Sequence, residues 1–136
     1  MSSRSPSAIA KRFAAALDHC DFAEATRYLS PDCQYQTGHE ELIGPTAIVA
    51  SYRESAEWGS RTLDQVVYES EVEETGDGLS VLYTDRVIHH GQMHEYHSRQ
   101  HLWLNEAGQV VRIVHEEIPG EREQLDEFFA KCGIRR

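Results

Sequence analysis

Five of the chain's eight histidines fall between His89 and His101, which makes metal binding the first chemistry to test. On an extended strand, alternate residues share a face, so His97 and His101 point the same way but lie about 13 Å apart, too far to share an ion. His94 and Glu95 point to opposite faces. Only His89 and His94 could meet across a hairpin, and no third ligand accompanies them, so neither a metal nor any other cofactor is expected. Cys20, Cys33 and Cys132 are odd in number and scattered, without a C-x-x-C pair, and none is near a clear base. They suggest neither a disulfide framework, nor a zinc knuckle, nor a nucleophile, and a reducing cytoplasm is the expected compartment. What remains is proton transfer by His115 with help from carboxylates, and whether these groups meet depends on the elements that carry them.

A chain of 136 residues suits one domain, read here as 1–136 with residues 1–6 as a Ser-rich, frayed tail. Its 23 acidic and 13 basic residues leave a net charge of -10, which does not suit nucleic acid or an anionic membrane surface, because both require clustered Lys and Arg. No run of about 18 apolar residues is present to span a bilayer.

The first half reads as helical. Ser7 is placed to cap a helix carrying Ile9, Phe13, Ala16 and Leu17 at 3.6-residue spacing, and Asp21 to cap a second with Phe22, Ala25 and Leu29. Ser30-Pro31-Asp32 ends it, Cys33 to Thr37 alternates as a short strand, and Gly44-Pro45-Thr46 opens a helix bearing Ile48, Val49, Tyr52 and Ala56. From Leu63 the period changes to two, which predicts strands over 63–74, 79–90, 93–104 and 109–118 in an antiparallel meander, before a closing helix from Glu121 to Lys131. The class is α+β, with helices covering one face of a curved sheet.

A two-residue turn at Gly91-Gln92 would set Val87 opposite Tyr96, Asp85 opposite Ser98 and Tyr83 opposite Gln100. A four-residue turn at Asn105 to Gly108 would continue that inner face through Val111, Ile113, His115 and Glu117. The rows are then Tyr83-Gln100-Ile113, Asp85-Ser98-His115 and Val87-Tyr96-Glu117: a core that becomes polar toward one end, as a ligand pocket does. Asp85 would orient His115 from roughly 10 Å away at Cα, around Ser98 or through water.

Asp21-Phe22-Ala23-Glu24-Ala25, Leu29-Ser30-Pro31-Asp32, Leu42-Ile43-Gly44 and Trp103-Leu104-Asn105-Glu106-Ala107-Gly108-Gln109-Val110 resemble the nuclear transport factor 2-like (SnoaL-like) superfamily along most of the chain. The resemblance implies a cone-shaped, curved antiparallel sheet wrapped by the N-terminal helices. It implies fold far more than activity, since isomerases, dehydratases, hydrolases, cyclases and binding modules share the superfamily. In the ketosteroid isomerases it includes, the pocket tyrosine, base aspartate and oxyanion-hole aspartate fall here on Phe13, Thr37 and Gln100. None is kept, so that mechanism is not implied, although Gln100 still donates hydrogen bonds. The chain is also similar to scytalone dehydratase around Asp18-His19-Cys20-Asp21-Phe22. Asp18 falls on the catalytic aspartate there, but the partner histidine falls near Asp64. The arginine-rich cluster of limonene epoxide hydrolases has no clear match.

The sequence thus points to a cofactor-independent acid-base enzyme of isomerase, lyase or hydrolase type, acting on a small apolar organic molecule. His115 is the expected proton-transfer group and Asp85 its partner. Tyr35, Thr37, Tyr83, Tyr96, Ser98, Gln100 and Glu117 are expected to hold the substrate. The alternative is a non-catalytic ligand-binding or dimerisation module. Leu82, Ile88, Trp103 and Val114 on the outer sheet face are expected to pair two copies of the chain.

Overall fold

The computed structural model of the protein describes residues 5–76 and 78–135. The frayed tail expected at the N-terminus therefore lies mostly outside the described residues. Helix α1 spans Pro6–Asp18, capped by Ser5 and not by Ser7, because the Ser5 side chain accepts from the Ala8 N–H and Pro6 takes the first turn. Helix α2 is a short Phe22–Thr26 segment capped by Asp21 as the sequence predicts. Strand β1 then begins at Leu29, earlier than expected, and runs to Gln36. Strand β2 (Glu41–Ile43) adds a short edge that the sequence reading did not contain. Helix α3 spans Pro45–Thr62, and the meander follows as β3 (Gln65–Glu74), β4 (Leu79–His89), β5 (Gln92–Leu104) and β6 (Val110–Glu117). Helix α4 closes the chain over Glu121–Lys131, as predicted.

The six strands form one curved, unclosed sheet in the order β2-β1-β6-β5-β4-β3, antiparallel except where β1 runs parallel to β6. The exposed Glu69, Glu71, Glu73 and Glu74 lie on the edge strand β3, where charge opposes pairing with another sheet.

Both hairpin registers differ from the predicted ones, and each by two residues. The β4–β5 turn is His90-Gly91, not Gly91-Gln92: both residues have positive φ (51° and 77°), as a two-residue turn matching the sheet twist requires. The Asp64 carboxylate accepts from the His90 N–H at 2.9 Å, and the His89 and His90 rings stack 4.0 Å apart. These contacts hold a histidine where asparagine is more usual. His89 therefore pairs with Gln92 and His94 with Val87, and the two do not face each other. At the β5–β6 turn, Asn105 and Gln109 close a loop one residue longer than expected, with Gly108 at φ 79°, and a bulge between Trp103 and Leu104 adds a second residue of slip. The bulge also makes Val110, rather than the expected Val111, the fully buried residue. Because each slip is even away from the bulge, Tyr83, Asp85, Val87, Tyr96, Ser98, Gln100, Ile113 and His115 stay on the inner face while their cross-strand partners change.

Two apolar clusters fill the concave face. Phe13, Ile48, Val81, Leu102, Val110 and Ile113 form the centre of the larger one, under α1 and α3. Leu125, Phe128 and Phe129 of α4 pack on Leu63, Val87 and Tyr96 to form the smaller. Each such buried side chain contributes about 1.5–3 kcal/mol. The His90-Gly91 turn predicts that Gly91→Ala costs about 1–2 kcal/mol in urea unfolding, while His90→Asn is neutral or stabilising. An equal loss from both changes would contradict the left-handed pair.

Candidate functional site

The two clusters do not meet, and a cavity of about 250 Å³ lies between them over the middle of β3, β4, β5 and β6. The rows beneath it are Tyr68-Asp85-Tyr96, then Ser70-Tyr83-Ser98-Glu117, then Val72-Val81-Gln100-His115. The expected row Asp85-Ser98-His115 does not exist. Asp85 is opposite Tyr96 and His115 is opposite Gln100, four residues apart along β5, so their Cα atoms are separated by about 17 Å. Asp85 does not orient His115. Both still line the same cavity, together with Tyr35, Tyr83, Tyr96, Ser98 and Gln100.

Gln100 organises the wall nearest α3. Its side-chain oxygen accepts from the Tyr52 hydroxyl at 2.7 Å, and its amide nitrogen lies 3.3 Å from both the Tyr35 hydroxyl and His115 Nδ1. With the amide donating to both, His115 is the tautomer with its proton on Nε2, which is 3.8 Å from Glu117 Oε1. Burial lowers the His115 pKa, against the pull of Glu117, so the ring is neutral near pH 7 and offers an N–H. Burial pushes the Tyr35 phenol up to about 12, with Glu40 adding to the shift, so it stays protonated as a donor.

Glu117 and Thr37 are placed differently from expectation. Glu117 is about half exposed and outside the cavity lining. Burial disfavours its charge, but the Tyr96 hydroxyl at 2.8 Å and Arg122 at 3.1 Å hold it below the usual carboxylate range. The Thr37 hydroxyl accepts from the N–H groups of His39 and Glu40 and serves a turn, not the cavity.

The opposite wall carries the stronger electrostatic perturbation. Asp85 accepts no hydrogen bond from a described residue and faces the cavity. Burial pushes its carboxyl up to about 6, the nearby Asp18 carboxylate pushes it further, and His97 opposes both. Asp18, at the end of α1, accepts from Ser70 Oγ at 2.5 Å, and burial raises it as well. Beside them, the Tyr83 hydroxyl is fully buried and has no hydrogen-bond partner among the described residues.

Asp18 entered the sequence reading only through resemblance. A residue-level signal existed: it follows the buried Ala14 by four positions, which puts a carboxylate on the apolar stripe of α1. Tyr68 was equally legible by alternation with Val66. Arg122, which lines the cavity from α4, could not be placed without the tertiary structure.

No family model matches the chain, and no curated protein matches it in sequence. Solved structures do match. A nuclear transport factor 2-like protein of unknown function from Burkholderia pseudomallei superposes with a TM-score of 0.68 at 16% identity, covering 90% of this chain and 98% of that one. A provisionally named polyketide cyclase from Xanthomonas campestris gives 0.66 at 14% identity over 93% and 96%. TerC, crystallised with polyporic acid, gives 0.66 at 16% over 90% and 99%. Among the described residues, no helix is long and apolar enough to cross a membrane.

Asp85 supplies a test of the site. Its folded pKa lies above its unfolded value, so folding binds a proton and stability falls as pH rises from 3.8 through about 6. Asp85→Asn is therefore expected to be about 1–3 kcal/mol more stable than the parent at pH 8 and equal to it near pH 4 in urea unfolding. A loss of stability at pH 8 would mean that the carboxylate is held by a partner. Element order, sheet topology and superposition over nine-tenths of the chain together give this protein the nuclear transport factor 2-like fold.

Proposed function

We propose that this cavity is the site of a cofactor-independent acid-base enzyme acting on a small, mostly apolar organic molecule, with Asp85 as the proton-transfer group. The observation that carries the reading is a cavity-facing carboxyl without a hydrogen bond, close to a second carboxyl and titrating near the pH at which a base must work. Tyr83, Tyr35 and the Nε2–H of His115 supply donors for an oxygen on which charge develops. The structural neighbours are consistent with a ligand pocket: one bears the polyketide cyclase name and another was crystallised with polyporic acid. His115, the group favoured by sequence, becomes a neutral donor in this scheme.

A probe that needs only a base in an apolar cavity tests the assignment. In 5-nitrobenzisoxazole the base removes the ring C–H proton, the electron pair forms the nitrile and the N–O bond breaks to release a phenolate. The protein is expected to accelerate this opening by about 10²-fold or more over free acetate. The rate should rise through pH 6 to a plateau, be lost in Asp85→Asn and survive in His115→Asn. Loss in His115→Asn alone would return the role to the histidine. No acceleration by the parent protein would favour the binding-module reading.

We also infer that two copies pair through the outer sheet face, supported by the partly exposed Leu82, Ile88, Trp103 and Val114. Around them, Arg86 bridges Glu69 and Glu95, His101 meets Glu116 at 2.8 Å, and Arg112 lies over the Trp103 ring. Sedimentation is expected to show twice the chain mass, and Trp103→Glu a shift to monomer. A monomer at every concentration would refute the pairing.

A further inference from the structure

The charge inventory of the cavity is unbalanced. Asp18 and Asp85 bring two carboxyls into it. Among the described residues, the cavity-lining groups able to carry positive charge are Arg122 and His115. Arg122 is committed to Glu117 and to the Tyr96 ring, 5.2 Å from its centre, and His115 is neutral. Among the described residues, no wall cation pairs with Asp85, and His97 is the group that favours its charge.

A pair of carboxylates alone would not define a ligand, but Tyr83 adds a second and independent observation. Tyr83 lines the same cavity, and its buried hydroxyl has no hydrogen-bond partner among the described residues. Such a group in a native fold calls for a polar partner, which a ligand in the cavity would supply. The walls around it present the rings of Tyr68 and Tyr52, while the Phe22 ring already carries Arg53 at 5.3 Å. Aromatic faces next to an unpaired carboxylate are the chemistry that recognises an organic ammonium group: the carboxylate takes its charge, the rings its positive C–H and N–H surface, and a hydroxyl oxygen one of its protons.

Resting on the reading of this cavity as a ligand site, we propose that its ligand is an amine, bound as the cation with its ammonium group against Asp85, Asp18 and the Tyr83 hydroxyl and its apolar body toward α4. The anionic organic acids that would suit a basic pocket are excluded by the same two carboxylates. The amine also explains how a carboxyl can be buried without a partner in the chain: the partner arrives with the ligand.

Three probes of equal shape test this by calorimetry at pH 7.5: 2-phenylethylamine, 2-phenylethanol and phenylacetate. The amine is expected to bind at least about tenfold more tightly than the alcohol, and phenylacetate more weakly than either. In Asp85→Asn, checked for folding by circular dichroism, the amine-to-alcohol ratio is expected to fall to near one. Tyr83→Phe should lower the ratio less, because it removes an acceptor and leaves the charge. Equal binding of alcohol and amine by the parent, or a ratio unchanged in Asp85→Asn, would overturn the amine while leaving the ligand site intact. Binding of none of the three would overturn both.

Discussion

Everything in this structure depends on how a strongly curved sheet fills its concave face. Alternation along β3, β4, β5 and β6 sends one set of side chains inward, and the curvature prevents a single layer of helices from covering that set along its full length. Helices α1 and α3 cover one end and α4 the other, each with its own apolar cluster. The rows between carry polar side chains, which α1 and α3 reach with Asp18 and Tyr52, and the cavity is the geometric remainder. Helix α4 is tied over this gap by Glu121, whose carboxylate accepts from the His97 N–H at 2.7 Å where β6 has run out. That bond satisfies a donor that β6 no longer reaches and sets the end from which Arg122 enters the cavity.

The two walls of the cavity solve the problem of buried polarity differently. Around Gln100 every group has a partner: one side-chain amide joins two tyrosines and a histidine, and such a satisfied network fixes orientation at little cost. Around Asp85 the reverse holds, since a carboxyl without a partner and a hydroxyl without a partner adjoin a second carboxyl. A fold selected for stability alone would replace Asp85 with an apolar residue. A carboxylate at Asp85 instead costs stability at neutral pH, as groups at binding and catalytic sites commonly do, and the proposed function rests on that asymmetry between the two walls.

The sequence made the fold legible because fold rests on period and punctuation. The change near Leu63 from 3.6 to two, Asp21 as a cap, Pro45 at a helix start and the closing helix with Gly133 beyond it were all readable. Strand β2 was not, since three residues beside an exposed turn carry no period. The site was only half legible. Inner-face membership depends on odd or even position and survives a slip of two, so Asp85, Tyr83, Tyr96, Ser98, Gln100 and His115 were all placed correctly in the cavity. Which of them meet depends on absolute register, and that was decided by details with weak sequence signals: a histidine taking positive φ under an aspartate's hold, and a bulge after Trp103.

The consequence of those details is chemical. In the predicted register Asp85 orients His115 around Ser98 or through water, and a charged imidazole in that row would favour the ionised carboxylate. In the observed register each meets a different neighbourhood. His115 faces an amide that takes its Nδ1 lone pair, which with burial keeps the ring neutral. Asp85 lies opposite Tyr68 and Tyr96, and its burial, with the Asp18 carboxylate second, keeps a proton on it until about pH 6. Two residues of slip therefore turn an expected histidine base into a donor and an expected orienting carboxylate into the group best placed to move a proton. The same slips leave Asp85 without the imidazole that the predicted row would have set near it, so among the described residues His97 is the group that favours its charge.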